Sequence, residues 1–274
     1  MSTCVEAGTR LIRYGCIIVG LFVILSGSTR AATVSVRFRE GFSHGFVRVR
    51  DPQGRILADG ETSQRPRGNR IVARLRFAFR DGSVYDETTS FTQQREFRLV
   101  TEHVVQHGPA FPESQDLLID APSGQVTVHY TEKGEAKTAS EHLDLPPDIA
   151  NGIVQTLLKN EPSGVVPESL PYVIATPKPR LVKLLVSIAG TDRFSVGRLR
   201  RPATHYVLKV DAGGIAGAIA PLIGKQPPDS HIWILHDDVP MFVRAQMPFF
   251  SDAPLWTIEL ASAQLAPARS SPAR

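Results

Sequence analysis

The stretch RIVARLRFAFRDGSVYDETTSF, from Arg70 to Phe91, decides the fold. Apolar side chains occupy every second position of its first half: Ile71, Ala73, Leu75, Phe77 and Phe79. Arginines occupy most of the alternate positions, and a period of two is typical of a strand with one buried face. The Asp81-Gly82 pair favours a hairpin turn, so the residues from Ser83 to Phe91 are predicted to run back beside that strand.

The same alternation recurs further along the chain, between turns rich in proline and glycine. The apolar positions fall at Phe97, Leu99 and Val105, at Leu117 and Ile119, at Val126, Val128 and Tyr130, at Val182 to Ile188, at Tyr206 to Val210, and at Trp256 to Leu260. Strands that follow one another so closely favour antiparallel neighbours. The sequence therefore predicts a mainly β protein, an antiparallel meander that curves into an incomplete β-barrel.

One segment departs from the strand period. Its apolar residues fall on two adjacent rows spaced four apart, as on one side of a helix: Ile149, Ala150, Ile153, Val154, Leu157 and Leu158. Asp148 is a suitable helix cap, and Pro162 ends the helix soon after Asn160. These features predict one central α-helix at about residues 148–160, between two sheet-forming halves.

The first residues have the order of a secretory leader. Arg10 and Arg13 precede the uncharged run from Cys16 to Leu25, and small residues follow that run. The apolar run is too short for a bilayer, which takes about 20 residues. We expect a signal peptide at residues 1–31, a single β-rich domain at residues 32–262 and a disordered tail at residues 263–274. The alternative for the first segment is an uncleaved membrane anchor.

Export with cleavage near Ala31 is a testable expectation, because small residues suit the positions just before a cleavage site. N-terminal sequencing of the mature protein is expected to begin close to Ala32. Retention of Met1 on protein in the membrane fraction would show instead that the leader is kept as an anchor.

Composition excludes several classes of protein. The 274 residues are 42% hydrophobic, which is too apolar for a disordered chain. Three basic residues and one acidic residue precede Ala32, so the net charge falls from +4 to +2 in the mature chain, and no nucleic-acid partner is expected. Both cysteines, Cys4 and Cys16, belong to the leader, so the mature domain has no disulfide and no cysteine-bound metal.

Three strings carry a resemblance to known proteins: DLPPDIANGIVQTLLKN from Asp144 to Asn160, TPKPRLVKL from Thr176 to Leu184, and APLIGKQPPDSHIW from Ala220 to Trp233. They resemble those of an uncharacterised family of exported bacterial proteins. That resemblance implies a periplasmic or secreted location and assigns no activity. A meander around one helix is also similar, in architecture only, to the incomplete β-barrels of periplasmic lipoprotein carriers.

The carrier-like architecture suggests an apolar ligand, most simply a lipid, bound within the curved sheet. We expect Leu75, Phe77, Phe79, Phe97 and Leu99 to line its concave face. The chargeless run from Ala212 to Gly224 contains Ile219 and Leu222, and is either a buried connection or a mobile apolar flap that touches ligand or membrane. Six residues separate Gly217 from Gly224, where a phosphate loop requires four, so no nucleotide cofactor is expected.

The candidate catalytic and metal-binding residues are mostly histidines. His231, His236 and Asp237 are candidate catalytic residues of an envelope hydrolase, because imidazole and carboxylate together can act as a general base. Strand alternation places His231 and His236 on opposite faces, so they are not expected to bind one metal ion. His103 and His107 lie on a predicted strand, about 13 Å apart at about 3.3 Å per residue. No metal site and no cofactor are predicted.

The arginines at positions 70, 74, 76 and 80 form a basic row on the exposed face of the first strand, suited to an anionic envelope component. Asp86 and Glu87 on the return strand are expected to pair across that row. Three functions remain open. The first is a non-enzymatic exported protein that binds an apolar ligand, the second is an envelope hydrolase, and the third is an envelope scaffold without a small ligand.

Overall fold

The computed structural model describes residues 33–175, 178–196, 199–211, 227–250 and 252–261. These ranges contain one helix, α1 (Val154–Asn160), and 14 strands: β1 (Ser43–Arg50), β2 (Ile56–Arg67), β3 (Arg70–Phe79), β4 (Val84–Gln93), β5 (Phe97–His107), β6 (Gln115–Asp120), β7 (Gln125–Glu132), β8 (Glu135–His142), β9 (Ser169–Ile174), β10 (Arg180–Val196), β11 (Leu199–Asp211), β12 (Ser230–Leu235), β13 (Met241–Met247) and β14 (Trp256–Leu260). The predicted signal peptide, flap and disordered tail lie outside the described residues.

All 14 strands pair antiparallel in a single sheet, in the order β8-β7-β6-β5-β4-β3-β2-β1-β14-β13-β12-β11-β10-β9. Two meanders, β1 to β8 and β9 to β14, join where β1 pairs with β14, with Val49 opposite Ile258. The two free edges are therefore β8 and β9, which are neighbours along the chain. The predicted mainly β, antiparallel meander is confirmed.

The sheet curves around the larger of two clusters of buried apolar side chains, which we call the main core. Residues from both meanders and from α1 belong to one continuous cluster of buried apolar side chains, so one face of the sheet encloses it. The two edges approach each other, because Lys178, just after β9, lies 3.1 Å from Glu141 of β8. No backbone pairing joins β8 to β9. The fold is thus an incomplete barrel, as predicted.

The hairpin predicted from residues 70–91 is present. β3 pairs with β4, and Arg76 lies opposite Asp86. Gly82 has a φ of 87°, a conformation that suits glycine because it lacks a Cβ atom. Ile71, Phe77 and Phe79 of β3 are buried in the core, while its arginines are exposed.

The connection between the two free edges fills the interior, and we call residues 143–168 the plug segment. Its buried apolar side chains are Ile149, Ala150, Ile153, Leu157 and Leu158. The helix within it begins at Val154, so the predicted start at about residue 148 is wrong. Gly152 has a φ of 65°, which interrupts helical geometry, and the preceding residues form turns. Ile153 occupies the cap position in place of Asp148.

The far end of α1 is fixed to the first described residues of the domain. The Asn160 side-chain oxygen accepts hydrogen bonds from the backbone N–H groups of Arg37 (2.9 Å) and Phe38 (2.7 Å). Lys159 forms a largely buried ion pair with Glu40. The plug segment is therefore held at its helical end as well as along its apolar side.

Within the described ranges, no helix has both the length and the apolar character needed to cross a membrane.

Candidate functional site

The predicted ligand-binding residues of the described sheet face the interior. Phe77, Phe79, Phe97 and Leu99 are buried in the main core, and Leu75 is half-buried against it. The plug segment packs in the same core, so these side chains contact protein rather than line an empty cavity. Their role in binding stays a prediction, and Ile219 and Leu222 lie outside the described residues.

Aromatic side chains gather on the concave face, some of them incompletely covered, and we call Phe77, Tyr85, Phe249, Phe250 and Trp256 the aromatic cluster. The ring centroid of Phe249 lies 5.2 Å from that of Tyr85, 6.0 Å from that of Phe77 and 5.1 Å from that of Trp256. Tyr85, Phe249 and Phe250 remain half-buried, whereas the other two are buried. The connection between β13 and β14 supplies Phe249 and Phe250, which sequence reasoning missed because that connection has no strand period.

Two carboxyl groups lie beside this cluster, on adjacent strands. The Tyr85 hydroxyl donates a hydrogen bond of 2.7 Å to Glu87 Oε2 on β4. The register of β4 and β5 places Thr89 opposite Glu102, so Glu87 and Glu102 are diagonal neighbours on the concave face. Glu102 is only 4% exposed. We call Glu87 and Glu102 the carboxyl pair.

Asn151 of the plug segment connects the carboxyl pair to the opposite edge of the sheet. Its Nδ2 group donates to Glu102 Oε2 (3.3 Å) and to the Val173 carbonyl (3.1 Å). Its Oδ1 atom accepts from the Val173 N–H group at 2.7 Å. The side-chain amide thus bonds to the free edge of β9 much as a neighbouring strand would, and the buried edge groups are satisfied.

Gly152 explains why the plug segment turns at this point. A Cβ atom at Gly152 would lie 2.3 Å from the Thr89 hydroxyl oxygen and 3.1 Å from Glu102 Oε1. Only glycine therefore fits both the left-handed backbone and the close approach to β4 and β5. The turn brings Asn151 to the carboxyl pair.

The electrostatics of the pair follow from burial. Burial, reinforced by the charge of Glu87, raises the pKa of Glu102 to about 8, and the hydrogen bond from Asn151 opposes that rise. Burial also raises the pKa of Glu87. Glu102 is therefore protonated at neutral pH. The pair can donate and accept hydrogen bonds on the concave face of the sheet.

Glu87 faces the interior, so the prediction that it pairs with the outward-facing arginines is wrong. Glu87 does not pair with the arginines of β3, because strand alternation turns it to the concave face with Tyr85 and Thr89. Asp86 does pair outward, since Arg74 Nε donates to its Oδ1 atom at 2.8 Å. The alternation of Tyr85, Glu87 and Thr89 was visible in the sequence and could have revealed the inward carboxyl.

The structure separates the predicted catalytic residues. The Tyr206 hydroxyl lies 2.7 Å from His236 Nε2, whereas His231 Nδ1 lies 2.9 Å from His205 Nε2 on the outer side of the sheet. Asp237 forms a surface ion pair of 3.5 Å with Arg201. His231 and His236 therefore do not face a common ion, as strand alternation predicts.

The remaining histidine candidate, the metal-binding side chains and the surface depressions were also compared with the predicted sites. His103 is exposed on β5, where its Nε2 atom lies 2.8 Å from Asp116 Oδ1. Among the residues that the structure describes, no three or more His, Cys, Asp or Glu side chains are grouped to hold a metal ion. Two surface depressions, of about 260 Å³ beside Asn160 and about 400 Å³ beside Arg244, contain none of the predicted ligand-binding residues.

Comparison with known proteins adds no assignment. No protein-family model matches the chain, and no curated protein shows significant similarity to it.

Proposed function

We propose that this is a non-enzymatic exported protein that holds an apolar ligand, a lipid, in its incomplete barrel against the aromatic cluster. The supporting observation is the incomplete burial of Tyr85, Phe249 and Phe250 on the concave face, beside fully buried neighbours. Partly exposed aromatic surface of this kind favours association with an apolar ligand, at about 25 cal/mol for each Å² removed from water. A leader at residues 1–31 would place the protein in the periplasm or outside the cell.

The plug segment forms the floor of this site and stays in place. Ile149, Ile153, Leu157 and Leu158 are buried, and exposing each of these four side chains would cost about 1.5–3 kcal/mol. A ligand that displaced the plug segment would therefore have to overcome roughly 10 kcal/mol before making any contact of its own. The ligand instead binds over the aromatic cluster, with its polar end near the carboxyl pair.

A fluorescent apolar probe tests this proposal. A naphthylamine dye that brightens in apolar surroundings is expected to bind the wild-type protein. Phe249→Ala should weaken that binding by about tenfold, because the loss of one well-placed aromatic contact costs about 1–2 kcal/mol.

The matched control is Phe46→Ala. Phe46 is 55% exposed on β1 and belongs to neither the main core nor the aromatic cluster. Its replacement should leave dye affinity unchanged. Equal affinity of the Phe249 variant and the wild type would contradict the proposed site.

The envelope hydrolase has less support. Among the described side chains, His231 and His236 hydrogen-bond to His205 and Tyr206 rather than to a serine or threonine hydroxyl. A serine-type mechanism needs that contact between base and nucleophile. The scaffold without a small ligand is the outcome that remains if no apolar molecule binds.

A further inference from the structure

Arginines gather on the outer face of the sheet where β2 turns into β3. Arg67 of β2 lies directly opposite Arg70 of β3, and strand alternation places Arg65 on the same face. All three side chains are exposed. Like charges directly opposite each other on neighbouring strands destabilise a sheet. The end of this hairpin therefore holds positive charges together although they repel each other.

Two further arginines extend this group. Arg95 is exposed in the turn between β4 and β5, and Arg39 is exposed in the segment before β1. Arg39 Nη2 donates a hydrogen bond of 3.2 Å to the Gln93 carbonyl at the end of β4. Thr92 of β4 lies opposite Arg70, so both turns and the N-terminal segment meet at one end of the sheet. We call Arg39, Arg65, Arg67, Arg70 and Arg95 the arginine patch.

The arginine patch keeps its positive charge. None of its five side chains forms an ion pair with another residue that the structure describes. Acidic side chains nearby already have basic partners, in the ion pairs Glu40–Lys159, Glu96–Arg98 and Asp86–Arg74. The net charge of the whole chain is only +4, so the patch is a local concentration of positive charge.

An exposed aromatic side chain adjoins the patch. Phe42 lies between Arg39 and the start of β1, and it is 74% exposed. Aromatic rings beside basic residues are typical of surfaces that lie at a bilayer interface, where the ring enters the headgroup region. Double-stranded nucleic acid also presents phosphates, but its stacked bases offer such a ring no apolar partner. The combination therefore favours a lipid surface.

We propose that the arginine patch and Phe42 dock this protein on the surface of a bilayer that contains anionic phospholipid. Guanidinium groups bind phosphate oxygens through paired N–H donors, and a phosphate between Arg67 and Arg70 offsets their repulsion. The patch lies at the start of β3, whereas Phe77 of the aromatic cluster lies near its end. Docking therefore does not depend on the proposed ligand site.

Co-sedimentation with lipid vesicles tests the proposal. Wild-type protein is expected to bind vesicles of phosphatidylglycerol mixed with phosphatidylcholine, and to bind pure phosphatidylcholine vesicles at least about tenfold more weakly. Arg67→Gln and Arg70→Gln should each weaken binding to the anionic vesicles by about fivefold, the contribution expected of one arginine near an anionic bilayer. Added salt should weaken binding of the wild type, because it screens these charges.

Two matched controls locate the surface. Arg80→Gln removes the same charge from an exposed position just after β3, at its opposite end, and should leave vesicle binding unchanged. Phe42→Ala should weaken binding by about five- to tenfold, because the ring leaves water on docking. Leu118→Ala removes an apolar side chain that is 47% exposed on β6, away from the patch, and should have no effect.

Three outcomes would overturn the proposal, provided that circular dichroism shows each variant to be folded. These are equal affinity of the wild type for anionic and neutral vesicles, unchanged vesicle binding in both Arg67→Gln and Arg70→Gln, and tighter binding of double-stranded DNA than of the anionic vesicles. Binding of the apolar dye is measured without vesicles, so failure of docking and failure of the proposed ligand site are distinguishable.

Discussion

Glu102→Gln is expected to raise the free energy of unfolding at pH 8 by about 4 kcal/mol. The native pKa of Glu102 is about 8, above the ordinary value of 4.5, because burial disfavours the charged form. At pH 8 this glutamate is almost fully ionised in the unfolded chain but only about half ionised in the native chain, so ionisation stabilises the unfolded chain far more. Glutamine cannot ionise and still offers an oxygen to the Asn151 amide, so the variant avoids that loss.

The raised pKa of Glu102 determines the pH range over which this residue lowers the free energy of unfolding. Below about pH 4.5 Glu102 is mostly protonated in both the native and the unfolded protein, so the wild type and the variant should be similar in stability. The wild type then loses stability as pH rises from about 4.5 to about 8, and the loss levels off above that range. Urea unfolding at pH 5 and pH 8 measures the difference. Glu135→Gln, at an exposed position on β8, is the matched control and should behave like the wild type.

A result in which Glu102→Gln is no more stable than the wild type at pH 8 would contradict the buried position of this carboxyl group. The half-buried Glu87 is a diagonal neighbour of Glu102, and burial raises its pKa as well. Glu87→Gln should therefore reduce the same pH dependence, because it removes a neighbouring negative charge that raises the pKa of Glu102.

Asn151→Ala is expected to lower the free energy of unfolding by about 3–5 kcal/mol. The substitution removes two hydrogen bonds with the Val173 backbone and one with Glu102, and it leaves the buried N–H and C=O groups of Val173 without those partners. Each unsatisfied buried polar group costs about 1–3 kcal/mol. Chemical denaturation at pH 7 is the measurement.

Asn69→Ala, in the exposed turn between β2 and β3, provides the comparison and should change stability by less than about 0.5 kcal/mol. An Asn151 variant as stable as the Asn69 variant would show that the plug segment is not fixed to β9 through this side chain.

Many strands of the sheet could be predicted from the sequence, because burial of one face imposes a period of two on the apolar residues. The hairpin of residues 70–91 illustrates this, since its alternation and its Asp81-Gly82 turn agree with the observed pairing of β3 and β4. The pairing of β1 with β14 could not be predicted from the sequence. It joins Val49 to Ile258, and no local pattern specifies contacts between such distant residues.

The candidate site depended on tertiary contacts that local patterns do not contain. The helical period around Ile149 predicts helix from about residue 148, yet the close approach of Thr89 and Glu102 requires a left-handed turn at Gly152. Glu87 was assigned to the surface because a glutamate beside Asp86 and opposite arginines is usually solvated. The alternation of Tyr85, Glu87 and Thr89 along β4 nevertheless places it on the inner face, and that signal is present in the sequence.

Mass spectrometry of the protein, purified without detergent and analysed both intact and after organic extraction, tests the central claim most directly. We expect the native protein to carry an apolar molecule that is released on denaturation, and we expect Phe249→Ala protein to carry less of it than Phe46→Ala protein. Native wild-type protein with the mass of the bare polypeptide, together with an extract that contains no apolar molecule, would contradict ligand binding in the incomplete barrel.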